Sequence, residues 1–181
     1  ILAQDLTIAC CGARPAPRSR QGPLLAMESL FGPTLLSRAG EVSTSDALAG
    51  KVAVGIYFSA HWCPPCRGFT PQLAGWYAKD LKSKGLEVVF VSSDHDEAAF
   101  GEYFAEQPWL ALPFGAHEKR DRLAKKFKVQ GIPSFVIVDG EGNTVTTDGR
   151  AAVTEDPAGL ALPWRPRTVR EALAGARLRA Q

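Results

Sequence analysis

Phe58-Ser59-Ala60-His61-Trp62-Cys63-Pro64-Pro65-Cys66-Arg67 decides the reading of this chain, because its two cysteines stand where one periodicity ends and another begins. Before it, Val52-Ala53-Val54-Gly55-Ile56-Tyr57-Phe58 is short, apolar and partly β-branched, the pattern of a buried strand. After it, Phe69, Leu73, Trp76, Tyr77 and Leu81 fall three or four residues apart, the pattern of a helix with one apolar side. The dithiol therefore lies at a strand-to-helix junction, with Cys63 in the N-cap region. There the unpaired N–H groups of the first turn and the helix dipole favour a thiolate over a thiol. The thiolate is the nucleophile, and motifs of this kind lower a cysteine pKa from about 8.5 to about 7 or below.

Pro64 and Pro65 suit a first helical turn, since proline fixes φ near the helical value and its missing N–H would have had no partner there. They also withhold two donors from the Cys63 sulfur, leaving the N–H groups of Cys66 and Arg67 as the nearest candidates. The expectation is a lowered Cys63 pKa, but not an extreme one. A structural disulfide or half of a zinc site would use the same two residues. Zinc takes four ligands, however; Cys10 and Cys11 are adjacent to each other in a tail, and His61, His95 and His117 have no paired ligand spacing. A redox-active dithiol with no bound metal or organic cofactor is the reading that fits.

The 181 residues, 45% hydrophobic and 22% charged, suit one globular core with tails. A net charge of +2 is too small to imply nucleic acid, and no apolar run approaches the ~20 residues of a membrane helix. Four cysteines do not make a disulfide framework, so a reducing compartment, the cytoplasm and also the nucleus, is expected.

Three regions are expected: an N-terminal extension over 1–28, a domain over 29–164 and a basic tail over 165–181. The extension is proline-broken and basic, which predicts disorder, and Met27 is the chain's only methionine, which suggests a start there. Ser45 or Thr44 is expected to cap a short turn through Ala47 and Leu48. The dithiol helix should run to about Lys84 and stop at Gly85. A second strand covers 86–92, and Ser93 to Asp96 offer caps to a helix carrying Phe100, Tyr103 and Phe104. Residues 108–114 read as a packed apolar connection, and 118–127 as a helix with Leu123 and Phe127 inward and a solvated basic face. Gly131-Ile132-Pro133-Ser134 opens a strand to Val138, and 139–143 turns it into a hairpin with 144–147. Beyond Gly149 the chain reads as mostly irregular, with a closing helix over 166–178. Strands linked by helices at these spacings give an α/β arrangement with a hairpin at one edge.

Trp62-Cys63-Pro64-Pro65-Cys66-Arg67, Val89-Phe90-Val91-Ser92-Ser93-Asp94, Pro108-Trp109-Leu110-Ala111-Leu112-Pro113, Gly131-Ile132-Pro133-Ser134 and Leu162-Pro163-Trp164 resemble, in order and spacing, the nucleoredoxin and tryparedoxin branch of the thioredoxin superfamily. The likeness covers roughly 29–166. It implies a thioredoxin-like fold, a central mixed β-sheet with helices on both faces, to which the closing helix adds a C-terminal extension. It implies that Cys63 attacks a substrate disulfide and Cys66 resolves the intermediate. Trp62, Pro64, Ile132 and a cis Pro133 would form the substrate surface. Where thioredoxins carry a buried aspartate, this chain has Tyr57, a poor base near neutral pH, so the proton acceptor for Cys66 stays unassigned. His61 is expected at the surface.

The function expected is a protein-disulfide reductase, acting as a monomer on disulfide-containing client proteins. Its electrons would come from NADPH through a partner, thioredoxin reductase or a small-dithiol system. The alternative is a redox-sensitive binding module that regulates a signalling or cytoskeletal partner without turnover. The presence of both cysteines, Trp62 and Pro133 favours catalysis.

Overall fold

The computed structural model describes residues 21–165. The pair Cys10 and Cys11 and the closing helix expected over 166–178 lie outside the described residues.

A seven-stranded mixed sheet has the order β2-β1-β5-β4-β3-β6-β7. The strands are β1 (Thr34–Ser37), β2 (Gly40–Ser43), β3 (Ala53–Ser59), β4 (Leu86–Ser92), β5 (Leu110–Ala111), β6 (Ser134–Asp139) and β7 (Thr144–Thr146). The centre is β3, parallel to β4 from Ala53↔Leu86 to Ser59↔Ser92 and antiparallel to β6 from Ala53↔Asp139 to Phe58↔Ser134. Both neighbours and both faces are occupied, which is why its sequence is continuously apolar rather than alternating.

Alternation nevertheless sorts the side chains. Tyr57, Leu86, Val88, Phe90, Phe135 and Ile137 face one layer, with α3 (Pro64–Trp76), α4 (Glu97–Ala105) and α6 (Gly149–Glu155). Val54, Ile56, Phe58, Val89, Val91 and Val136 face the other, with α1 (Gln21–Phe31), α2 (Thr44–Leu48) and α5 (His117–Lys126). At Gly55 an added Cβ would run into the Phe135 ring, so the absent side chain makes room for an aromatic on the neighbouring strand. After α3 a π-type turn over Tyr77–Leu81 carries the helix on, with Lys82 N–H donating to the Tyr77 carbonyl, and Gly85 (φ +92°) reverses the chain into β4.

Several expectations are corrected. Helix α1 begins at Gln21, inside the segment expected to lack order, and it places Met27 and Phe31, one turn apart, in the core at 1% exposure each. The domain boundary expected at residue 29 thus falls within a helix. The β1–β2 hairpin was not expected. It is Ser43, rather than Ser45 or Thr44, that caps α2, accepting from Asp46 N–H. The connection 108–114 contributes a two-residue strand beside β4 and β1. The segment after Gly149, expected to be irregular, forms α6 and then folds around Asp156. That carboxylate accepts from Leu160 N–H, Ala161 N–H and the Trp164 indole at 2.9, 2.8 and 3.0 Å, which seats Trp164 in the core.

Candidate active site

The C-terminal end of β3 delivers the chain to the dithiol. Cys63 N–H donates to the Ala60 carbonyl at 3.3 Å, and Cys63 is the N-cap of α3 with extended backbone, Pro64 and Pro65 taking the first two helical positions. Arg67 N–H donates to the Cys63 carbonyl at 3.1 Å. That group, expected beside the sulfur, is used for the first turn of the helix.

Cys63 and Cys66 are joined in a disulfide with their Cα atoms 5.2 Å apart, a separation that a disulfide spans without backbone movement. Cys66 is fully enclosed and Cys63 is 4% exposed, so an incoming group meets Cys63 first. Ala60, Cys63, Cys66 and Ile132 pack as one small cluster, with the Cys63 sulfur 3.9 Å from the Ile132 carbonyl oxygen. The Ile132–Pro133 bond is cis. The expected site residues therefore meet at one end of the sheet, Pro64 exposed beside the cysteines and Pro133 buried behind Ile132. Trp62 stands open at 54% exposure, held by its indole N–H to the Ser93 carbonyl at 3.1 Å and stacked on His95 at 5.5 Å.

Residues outside the expected site set also build this end of the sheet. Asp94, buried, accepts from His61 N–H at 2.7 Å and from the Ser92 hydroxyl at 2.7 Å, tying the loop after β4 to the loop before the dithiol. Arg150 donates to the Pro133 carbonyl at 3.1 Å and lies over the Phe69 ring. His61, expected at the surface, is half-buried, with its imidazole stacked on Tyr103 at 5.5 Å.

Behind the dithiol helix, four buried hydroxyls close a ring. Ser59 donates to Tyr57 at 3.1 Å; Tyr57 pairs with Thr70 at 2.8 Å, Thr70 with Tyr103 at 2.5 Å, and Tyr103 with Ser59 at 3.0 Å. Each hydroxyl carries one proton, so the Ser59-to-Tyr57 bond sets one direction around the whole ring: Tyr57 donates to Thr70, Thr70 to Tyr103, and Tyr103 to Ser59. Every donor is used. Burial pushes the Tyr57 phenol well above its ordinary pKa, against the lowering effect of its Ser59 and Thr70 hydrogen bonds. It remains neutral, so Tyr57 serves here as a packing and hydrogen-bonding group rather than as a base.

Among the described residues the buried carboxylates are Asp94 and Glu87. Glu87 binds Lys51 at 2.8 Å and Tyr77 at 2.6 Å, and both oxygens of Asp94 are taken, so neither is a free base. No cluster among the described residues could hold a metal ion, and no described helix is long and apolar enough to cross a membrane.

A mixed sheet between two helical layers, with a Cys-x-x-Cys heading a helix opposite a cis proline, defines a thioredoxin-fold dithiol protein. The chain belongs to the thioredoxin-like family, whose profile matches residues 50–144. It is 47% identical over 131 residues to the tryparedoxin of Trypanosoma brucei brucei, covering 72% of this chain and 90% of that one. It is 44% identical over 152 residues to the nucleoredoxin of Danio rerio, covering 83% of this chain and 36% of that one. The chain thus spans about a third of the length of the curated nucleoredoxins it matches. A solved tryparedoxin II complexed with glutathionylspermidine superposes with a TM-score of 0.73 at 38% identity, covering 78% of this chain and 99% of that one.

Proposed function

We propose that the chain is a protein thiol-disulfide oxidoreductase that reduces disulfides in client proteins. The reading is carried by one observation: the two cysteines close a disulfide across the first turn of α3, and the more accessible of them lies against the Ile132 carbonyl. In the reduced protein the Cys63 thiolate attacks one client sulfur. The other client sulfur leaves as a thiolate, and Cys63 is left in a mixed disulfide. Cys66, deprotonated, then attacks the Cys63 sulfur, releases the second client thiolate and restores the intramolecular disulfide, so two electrons have passed to the client. With Tyr57 neutral and the buried carboxylates committed, the Cys66 proton goes to solvent or to the departing client thiolate.

The exposed Trp62 indole and the Ile132–Pro133 backbone would hold an extended client segment. No bound cofactor takes part. The oxidised protein would be recycled by an external system drawing on NADPH, through thioredoxin reductase or a small dithiol. Support for the small dithiol comes from the tryparedoxin II relative, which was solved with glutathionylspermidine. The protein is proposed to act as a monomer in the cytoplasm, with the nucleus as a second location, since a reducing compartment keeps such a dithiol supplied.

The test is reduction of insulin disulfides with NADPH and thioredoxin reductase, with dithiothreitol in parallel as a direct reductant. Turnover lost in Cys63→Ser is expected. No turnover from either source by a dithiol that cycles cleanly would favour a redox-sensitive binding module instead.

A further inference from the structure

Beside the dithiol lies a recess that the reaction above leaves unused. It has a volume of about 460 Å³, the size range of a pocket for a small ligand or side chains. Buried Phe127, Pro133 and Val136 give it apolar walls, while Ser134, Thr147 and Lys128 line its more open part. Among the described residues Lys128 is the only charged one in the lining. Its Pro133 wall directly follows Ile132, whose carbonyl sits 3.9 Å from the Cys63 sulfur.

Lys128 also occupies an unusual backbone state. It follows α5 with φ +53°, in the left-handed region where helices most often end on glycine. Glycine would adopt this conformation at lower cost, but it could not place a cation at the mouth of the recess. The surrounding charges reinforce it. Lys125 and Lys126 end α5, and Arg150 donates to the Pro133 carbonyl at 3.1 Å. The nearest acid along the chain, Asp148 beside Thr147, caps α6 through Ala151 N–H.

We propose that this recess is a client subsite that takes an acidic side chain close to the disulfide being reduced, its stem against Phe127, Pro133 and Val136 and its carboxylate toward Lys128. The inference rests on the oxidoreductase reading and adds a preference to it. An extended client advances about 3.3 Å per residue, so residues two to four positions from the client cysteine lie about 7–13 Å along the strand, within reach of the recess.

The experiment uses two synthetic peptides, each with one cysteine as its mixed disulfide with thionitrobenzoate. They differ only in having glutamate or lysine at the second to fourth positions on either side of the cysteine. Reduced protein attacks the peptide sulfur and releases thionitrobenzoate, read by absorbance, and the result is the ratio of rate constants for the two peptides. A ratio of about threefold to fivefold in favour of the glutamate peptide at low salt, shrinking as salt rises, is expected. It should fall to about one in Lys128→Gln, reverse in Lys128→Glu and return in Lys128→Arg. A ratio near one in the wild type, or a ratio untouched in Lys128→Glu, overturns the proposal. Failure of the oxidoreductase reading shows separately, as no reaction with neutral bis(2-hydroxyethyl) disulfide. In that event the same peptides with serine for cysteine report the subsite by fluorescence anisotropy. Tighter binding of the glutamate peptide that depends on Lys128 supports the subsite, and equal binding of the two overturns it.

Discussion

Replacing Tyr57 by phenylalanine removes one hydroxyl from the closed ring and leaves the aromatic packing against Phe69, Phe90, Trp109 and Phe135 in place. Two hydrogen bonds go, to Ser59 and to Thr70, and the remaining three hydroxyls form an open chain in which one buried proton has no ring partner. At about 0.5–1.5 kcal/mol net for each bond, the loss is about 1–3 kcal/mol. In a domain of this size each kcal/mol lowers Tm by about 2–4 °C, so a central value of about 2 kcal/mol corresponds to about 4–8 °C. Urea and thermal unfolding read both quantities. The ring also predicts coupling: Thr70→Val, which shares the Tyr57–Thr70 bond and also loses the bond to Tyr103, should cost a similar amount alone but less once Tyr57 is gone, the double variant falling short of the sum by that one shared bond, about 1 kcal/mol. Because burial holds the Tyr57 phenol neutral, Tyr57→Phe should keep the wild-type pH midpoint for alkylation of the reduced dithiol. A loss below about 0.5 kcal/mol would refute the ring as a stabilising unit. A midpoint displaced by about one unit would show that Tyr57 exchanges charge or protons with the cysteines, contrary to its role as a neutral packing and hydrogen-bonding group.

Two further predictions concern segments whose structure departs from expectation. Met27→Ala should cost about 2–5 kcal/mol, because the side chain is enclosed between α1 and the sheet; unfolding indistinguishable from wild type would mean that α1 is not part of the cooperative domain. Although burial alone would raise the Asp156 pKa, hydrogen bonds from Ala161, Leu160 and Trp164, with Lys84 nearby, hold it below the ordinary value. Its stabilising effect is therefore complete above the unfolded-state pKa of about 4 and is lost as pH falls through the lower folded-state value. Asp156→Asn should lower stability at neutral pH and narrow its gap to wild type in acid, and a gap independent of pH would contradict this.

What could be read from the sequence was whatever a single element writes in its own residues. Strands β3, β4 and β6 are apolar because each is covered on both faces, so they appear as continuous runs. The dithiol and Pro133 declare themselves by residue type, and their meeting across the end of the sheet followed from the family likeness. The β1–β2 hairpin left a fainter trace, since its strands are four residues long and mostly open on one side. Helix α6 opens on glycine and is only seven residues long, too short for periodicity to identify, and it is held by packing of Val153 and by the Asp156 knot that follows. The hydroxyl ring draws on β3, α3 and α4, so no local pattern of Tyr57, Ser59, Thr70 and Tyr103 announces it. Nothing in the residues around Arg150 marks it, and only the return of the chain after β7 carries it to the Pro133 carbonyl.

The central claim assigns attack to Cys63 and resolution to Cys66, and trapping tests it most directly. Reduced Cys66→Ser, mixed with a disulfide-bearing client and examined by intact mass under non-reducing conditions, should carry one client chain on Cys63, released by dithiothreitol. The Cys63→Ser variant treated alike should carry none. An adduct that forms equally well on Cys63→Ser, or no adduct on Cys66→Ser while the wild type turns over the same client, would contradict the assignment.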